Sequence, residues 1–129
     1  MNYLKLKQLG NKYKAKKQTY NNYSYDSTKE ADYAKQLDIL KKGGAIKNWK
    51  RQIKVELFGE NGTRVCNYYV DFLIEHNGKL QPSIVLEYVE VKGFETSLWR
   101  LKWKLFKDKI GKQSDIKVTL EKTNIQQLL

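Results

Sequence analysis

Two carboxylates interrupt apolar stretches in the second half of this 129-residue chain. Asp71 is the only charge in VCNYYVDFLI, and Glu90 lies within SIVLEYVEVK. Both stretches are rich in β-branched and aromatic residues, and the loop between them holds the sole proline, so they predict two antiparallel strands. A charge among apolar residues is costly unless another group pairs with it. We therefore expect each acid to have a partner.

The spacing of the two acids predicts that they are partners of each other. A hairpin centred on the loop at residues 77–83 places Asp71 opposite Glu90. Directly opposed residues have Cβ atoms ~4.5–5.5 Å apart. Two carboxylates at that separation repel each other unless a proton or a cation lies between them. A slip of one residue in the register would separate them.

Lys92 is expected on the same side of its strand as Glu90, because side chains alternate along a strand. Mg²⁺ prefers oxygen ligands and takes one or two carboxylates while keeping several waters. Such an ion polarises a phosphodiester and lowers the pKa of a bound water. Lys92, kept protonated by the acids, would stabilise charge in the transition state. The alternative is a structural salt bridge between Lys92 and Glu90.

A helix is predicted over residues 28–42, in front of these strands. Ser27 and Glu30 have the spacing of a capping box. Gly43 and Gly44 supply a C-terminal stop. Apolar side chains recur behind the cap at helical spacing: Ala31, Ala34, Leu37 and Leu40. Glu30 therefore has a structural explanation as a cap, beside any role with the other acids.

Further strands and a second helix complete the predicted order α-β-β-β-α-β, an α/β (α+β) fold. WKRQIKVELF alternates as a half-buried strand, and Glu60-Asn61-Gly62 predicts a turn into the strand at residues 63–75. LWRLKWKLFKDKI predicts a basic helix, and DIKVTL a last strand. The apolar stripe of that helix is expected to be Leu98, Leu101 and Leu105, widened by Trp99, Trp103, Phe106 and Ile110.

The charge of the chain favours a polyanionic partner. Lys and Arg number 25 against 14 Asp and Glu, for a net charge of +11, and phosphate contacts would release condensed counterions. Residues 1–25 hold six lysines, five tyrosines and no acid, and predict a basic arm before a single domain at 26–129. The alternatives are a lysine-rich coding bias and, for the arm, a solvated tail or an edge strand. The DNA-contacting residues expected on the arm and second helix are Lys12, Lys14, Lys16, Lys17, Arg100, Lys102 and Lys104.

The remaining composition excludes several other kinds of site. Cys66 is the only cysteine, so neither a disulfide framework nor a thiolate zinc cluster is expected. His76 is the only histidine, and its position before Asn77-Gly78 predicts an exposed turn residue. No stretch approaches the ~20 apolar residues of a membrane span, and a cytoplasmic protein is expected.

At this point the pattern resembles a known group. Glu30 on a helix, Asp71 on a strand and Glu90-Val91-Lys92 on the next strand, followed by a basic helix, resemble the PD-(D/E)xK nuclease superfamily. More narrowly, KYKAKK, YDSTKEADYA, YYVDF, EYVEVKGF and LKWKLF resemble a family of small phage-encoded proteins within it, over about residues 11–120.

The resemblance implies a restriction-endonuclease-like core, with a mixed central sheet flanked by helices. It implies Mg²⁺ or Mn²⁺ bound by Asp71, Glu90 and the Val91 carbonyl, with Glu30 acting directly or through water and Lys92 as the catalytic lysine. The proline that names the motif is absent before Asp71, and no target-recognition insertion is visible, which argues against sequence-specific restriction.

The function expected is therefore a metal-dependent DNA endonuclease selective for branched DNA such as Holliday junctions, in phage recombination or replication. A homodimer is expected to place two sites on two strands. Its interface would come from the leucines and aromatics of the second helix or from the tail residues Ile125, Leu128 and Leu129. The alternatives are a non-catalytic DNA-binding module that retains a nuclease fold, and a single-strand or RNA nuclease.

Overall fold

The computed structural model describes residues 18–20, 23–25 and 27–122 of the chain. Its elements are β1 (Gln18–Tyr20), β2 (Tyr23–Tyr25), α1 (Thr28–Lys42), β3 (Asn48–Phe58), β4 (Arg64–Glu75), β5 (Leu86–Lys92), α2 (Ser97–Ile110) and β6 (Ile116–Lys122). From α1 onward the order α-β-β-β-α-β is as predicted, and the fold is a mixed α/β fold with a mixed sheet flanked by helices.

The predicted ends of α1 are confirmed by its caps. The Ser27 side chain accepts a hydrogen bond from the amide of Glu30, and Gly43 ends the helix at Lys42. The turn between β3 and β4 has Gly62 at φ 84°, a backbone conformation that glycine adopts without strain. Within the described part of the chain, neither helix has the length and apolar composition needed to cross a membrane.

Two short strands precede the predicted domain. β1 pairs with β2 in an antiparallel two-stranded sheet that is separate from the main one. These six residues belong to the stretch predicted as a basic arm. The four arm lysines expected to contact DNA, at positions 12, 14, 16 and 17, lie outside the described residues, as does the tail from residue 123.

The main sheet has the strand order β3-β4-β5-β6. β3, β4 and β5 are antiparallel neighbours, whereas β5 and β6 are parallel and α2 forms the crossover between them. Phe72 pairs with Val89 and Leu73 with Tyr88, which confirms the predicted hairpin register. Phe72–Val89 is the last pair, so Asp71 and Glu90 stand where β4 and β5 separate.

The two helices cover opposite faces of the sheet. Val89 packs in a core cluster under α1, whereas its neighbour Tyr88 packs against Phe106 in a second cluster under α2. Adjacent strand residues point to opposite faces, so each helix has its own face. Along β4 this assignment reverses at Asp71, because Val70 belongs to the α2 cluster and Phe72 to the α1 cluster.

The predicted apolar stripe of α2 was partly wrong. Trp99, Trp103 and Phe106 are buried, whereas Leu98 and Leu101 are exposed. Both sets satisfy a helical period, and the broad aromatic rings fill the space over the sheet, with Phe106 in contact with the Tyr68 ring. These aromatics are core residues, so they do not form an exposed surface for a dimer.

The expectation of an exposed turn histidine was also wrong. His76 is buried, and its Nε2 lies 2.9 Å from Glu87 Oε1. Its amide donates to the Val85 carbonyl, which extends the hairpin by one residue before the chain turns at Gly78. The Glu87 carboxylate also accepts a hydrogen bond from Thr119 Oγ1 at 2.6 Å. The buried Glu87 carboxylate is therefore hydrogen-bonded by His76 and Thr119 on the face of the sheet that α1 covers.

Candidate metal centre

Helix α1 directs Glu30 toward the sheet. Ser27 Oγ accepts from the Glu30 amide at 3.0 Å, so this cap bond uses the backbone of Glu30 rather than its carboxylate. That side chain is only 4% exposed, and its Oε1 accepts from Gln52 Nε2 at 3.3 Å. Asp71 is also a hydrogen-bonding neighbour of Glu30. The cap thus uses the backbone amide of Glu30, while its carboxylate belongs to a carboxylate cluster with Asp71 and Glu90.

Strand β3 contributes Gln52, which the sequence analysis missed. Its φ is +50°, an uncommon value for a residue other than glycine. Arg51 pairs with Phe72 and Ile53 with Val70, but Gln52 and Asp71 between them form no ladder pair. Gln52 Nε2 instead donates to Asp71 Oδ1 at 3.3 Å as well as to Glu30. In an alternating strand this position was expected to be an ordinary polar one, so no signal in the sequence identified it.

Strands β4 and β5 contribute the two central acids. Asp71 is 8% exposed and Glu90 is 4% exposed. The Val91 amide donates to Asp71 Oδ2 at 2.8 Å, so the carboxylate occupies a backbone hydrogen-bonding position at the end of the ladder. The Asp71 and Glu90 carboxyl groups are also hydrogen-bonding neighbours. The predicted proximity of these two acids is therefore present in the structure.

Burial and mutual repulsion raise the pKa values of both acids. The pKa of Glu90 rises from 4.5 to about 9, first because the group is buried and then because of the Asp71 charge beside it. Burial also raises the pKa of Asp71, against the lowering effect of its hydrogen bonds with Glu90 and the Val91 amide. In the metal-free protein the pair accordingly retains a proton at neutral pH.

Tyr68 and Trp99 hold Glu90 and Lys92 in position. The Tyr68 hydroxyl donates to Glu90 Oε2 and accepts from Trp99 Nε1 at 3.2 Å. Burial and the neighbouring Glu90 charge raise the pKa of the Tyr68 hydroxyl above its ordinary value. The Lys92 ammonium lies 4.9 Å from the centre of the Trp99 ring, a cation–π distance. Trp99 therefore connects α2 to two of the predicted site residues.

The structural salt bridge considered for Lys92 is absent from the described residues, where Lys92 forms no ion pair with Glu90. Lys92 does lower the pKa values of both Asp71 and Glu90 through its charge. The Lys92 ammonium is therefore close enough to influence Asp71 and Glu90 electrostatically, although it forms no ion pair with Glu90.

The acids of this cluster carry oxygen atoms of the kind that a hard divalent cation prefers as ligands. Crowded, buried carboxylates with a retained proton gain from exchanging that proton for a cation. Within residues 18–20, 23–25 and 27–122, no group of three or more acidic, histidine or cysteine side chains is arranged so that it could hold a metal ion by itself. Mg²⁺ keeps several of its waters, so a complete protein cage is not what it requires. Val91 contributes its amide to Asp71, and ligation by its carbonyl stays a prediction.

The basic residues predicted to contact DNA on α2 follow Trp99 along the helix and are not part of the carboxylate cluster. Arg100 is exposed and its Nε lies 3.5 Å from Glu95 Oε1, while Lys104 is exposed and Lys102 partly so. They are on the same helix as Trp99, which packs over Lys92. Arg100 and Lys104 lie one turn apart on one side of α2, and Lys102 lies on the other side, so positive side chains flank its buried face.

Two substitutions on α1 separate the cap from the cluster. Ser27→Ala is expected to lower the free energy of unfolding by about 1 kcal/mol and to leave the affinity for Mg²⁺ unchanged, because it removes only the helix cap. Glu30→Gln is expected to weaken Mg²⁺ binding with little loss of stability. Thermal unfolding followed during a Mg²⁺ titration measures both. Equal losses of stability with unchanged Mg²⁺ affinity would instead make Glu30 a structural residue.

No curated protein and no solved structure matches this chain. A family model does, and it matches residues 10–125, from before β1 to beyond β6. That span includes all four residues of the predicted catalytic set. The chain belongs to this family, which is described as a protein of unknown function (DUF1064).

Proposed function

We propose that this protein is a Mg²⁺- or Mn²⁺-dependent endonuclease that hydrolyses phosphodiester bonds in DNA. The observation that carries the proposal is the convergence of three buried carboxylates, Glu30, Asp71 and Glu90, from three different elements. Buried acids that lie close together destabilise a fold. Their presence at the point where two strands separate therefore indicates a functional site. The resemblance to the PD-(D/E)xK nucleases supports the same conclusion.

In this proposal Asp71 and Glu90 would hold the metal directly, and Glu30 would do so directly or through water. The bound ion would supply a polarised phosphate and a water of lowered pKa. Gln52 keeps Glu30 and Asp71 together through its amide, and Tyr68 orients Glu90. These hydrogen bonds fix ligand directions before any metal arrives, which limits reorganisation on binding.

Lys92 would stabilise negative charge that develops on the phosphate during hydrolysis. Its ammonium lies over the Trp99 ring, and among the residues that the structure describes no ion pair joins it to Glu90. A fixed cation next to the reacting phosphate stabilises the transition state more than the ground state, because negative charge accumulates there. The basic residues of α2, Arg100, Lys102 and Lys104, would contact flanking phosphates.

The substrate we propose is branched DNA, including four-way junctions, and the active form a homodimer. A net charge of +11 supports strong binding to phosphates without naming a sequence. Two strands of a junction require two active sites, which two copies would supply. A role in phage recombination or replication would follow from such a substrate. Sedimentation of the protein alone and on junction DNA measures the number of copies.

Cleavage of a substrate panel tests the function. The panel contains a four-way junction, a flap, linear duplex, single-stranded DNA and single-stranded RNA, each with Mg²⁺ and with EDTA. We expect cleavage of the branched substrates with Mg²⁺, and a loss of roughly a hundredfold or more in Asp71→Ala, because a metal ligand is removed. Asp32→Asn, an exposed acid on α1, serves as the matched control and should cleave normally.

Each other outcome of the panel would assign a different function to this protein. DNA binding that survives Asp71→Ala without cleavage in any metal would make this a non-catalytic binding module. Preferred cleavage of single strands or RNA would reassign the substrate. Cleavage that persists in EDTA would overturn the metal mechanism.

A further inference from the structure

A cleft opens beside the carboxylate cluster, between β4 and the beginning of α2. Its volume is about 220 Å³, and its walls include residues 67–69 of β4 together with Leu98, Trp99 and Lys102. β5 pairs with β4 only from Phe72 onward. The edge of β4 before that residue is therefore left without a β5 neighbour, and the cleft lies along it.

Two residues that line this cleft also contact predicted site residues, Glu90 and Lys92 respectively. Tyr68 and Trp99 line the cleft, and the Tyr68 hydroxyl donates to Glu90. The cleft therefore starts one side chain away from a predicted metal ligand. A nucleic acid strand with a phosphate at the cluster would bring the next nucleotide to this opening.

The walls have the chemistry that recognises a nucleobase. Tyr69 is 51% exposed and Leu98 is 61% exposed, so both present accessible apolar surface to the cleft. Aromatic faces of this kind stack on unpaired bases. Asn67 Oδ1 is buried with no hydrogen-bond partner among the described residues, and Lys102 adds a positive charge. An aromatic face, an amide and a cation match the ring, the polar edge and the phosphate of a nucleotide.

The size of the cleft fits one ring system. Pockets for complete small molecules occupy ~300–1,000 Å³, and this cleft is smaller at about 220 Å³. A base within a paired duplex is stacked and has its polar edge occupied, so it cannot enter. The cleft would therefore accept only a base that is unpaired.

We propose that this cleft binds one unpaired nucleobase of a DNA strand whose adjacent phosphate lies at the carboxylate cluster, with Tyr69 stacking on the base. The inference rests on the proposed nuclease function and adds a source of selectivity to it. At a junction or flap, the bases next to the branch point are the ones that can leave the stack at low cost. Selectivity for branched DNA then follows from base capture.

Binding in EDTA tests the cleft without any need for cleavage. The probe is a DNA flap with a single 2-aminopurine at the unpaired position next to the branch, and the readout is fluorescence with the full-length protein. Tyr69→Ala is expected to weaken binding roughly tenfold, as loss of one base–aromatic stack does, and Tyr69→Phe to retain it. Leu98→Ala should weaken it in the same direction. Val65→Ala, an exposed apolar residue of β4 that does not line the cleft, is the control and should change nothing.

The outcomes separate this inference from the nuclease proposal. Equal effects of Tyr69→Ala on the flap and on a fully paired duplex would overturn base capture, as would equal effects of Tyr69→Ala and Val65→Ala. Tyr69-dependent binding without cleavage in Mg²⁺ would overturn the nuclease and retain the cleft. Sedimentation of the Tyr69 and Leu98 variants checks that the number of copies is unchanged.

Discussion

Replacing Glu90 by glutamine is expected to raise the melting temperature of the metal-free protein at pH 8 while reducing metal-dependent cleavage roughly a hundredfold or more. The two effects have one cause. Glu90 is buried beside Asp71, and its pKa is raised to about 9 because its charged form is unfavourable there. Glutamine keeps the shape and the hydrogen bond from Tyr68, but it removes the charge that a metal requires.

The size of the gain in stability can be bounded from the pKa. Each pH unit above the unfolded pKa, up to the folded pKa, adds about 1.4 kcal/mol to the penalty for keeping Glu90 buried. Relaxation of the site reduces what is realised, so we expect a gain on the order of 1–3 kcal/mol and a melting temperature higher by roughly 5–10 °C. A structural carboxylate would lose stability on the same change.

Calorimetry in EDTA and cleavage in Mg²⁺, on the same preparations, measure the two effects. Glu56→Gln is the control, because Glu56 is an exposed acid on β3 and its neutralisation should change neither quantity. A lower melting temperature for Glu90→Gln would mean that the Glu90 charge stabilises the fold. That outcome would remove the main argument for a functional cluster.

The central pair of this site could be predicted because it depends on register alone. The hairpin between β4 and β5 has the predicted centre, and that suffices to bring Asp71 to Glu90. The ends of α1 were predicted for a similar reason, since Ser27 and Gly43 act on neighbouring residues. Local capping and strand pairing both leave patterns at fixed spacing.

The residues that support the pair could not be predicted, because they come from distant elements. Gln52 reaches Asp71 only because its backbone adopts a positive φ, and nothing in KRQIKV indicates this. Tyr68 reaches Glu90 because the facing of side chains along β4 reverses at Asp71. A strand that alternated regularly would send Tyr68 and Phe72 to the same face.

The buried stripe of α2 could not be predicted for the same reason, because it depends on contacts with distant elements. Leu98 and Leu101 satisfy the helical period as well as Trp99 and Trp103 do. The sheet under the helix determines which of the two stripes is buried. There the Trp99 indole N–H donates a hydrogen bond to the Tyr68 hydroxyl. Sequence periodicity contains no information about that partner.

The stability of the metal-free protein is expected to fall as pH rises from about 5 to about 9, which is the reverse of what most carboxylates cause. Below pH 4.5 Glu90 is protonated in both states, so it contributes no difference. Between 4.5 and about 9 the unfolded chain ionises while the folded protein retains the proton, so rising pH favours unfolding. Above about 9 both states are ionised and the penalty is complete.

The difference in melting temperature between wild type and Glu90→Gln in EDTA isolates the contribution of the Asp71–Glu90 pair, because the titrating groups outside the pair are common to both proteins. It should be close to zero at pH 5 and should grow steadily to pH 9. Metal ligands must be deprotonated, so the stabilisation of the wild type by Mg²⁺ should grow over the same range, whereas Glu90→Gln should gain little at any pH. A difference that stays constant from pH 5 to pH 9 would show that Glu90 does not hold a proton in the folded protein. The cation would then have no proton to displace, and the argument that this cluster is kept for metal binding would fail.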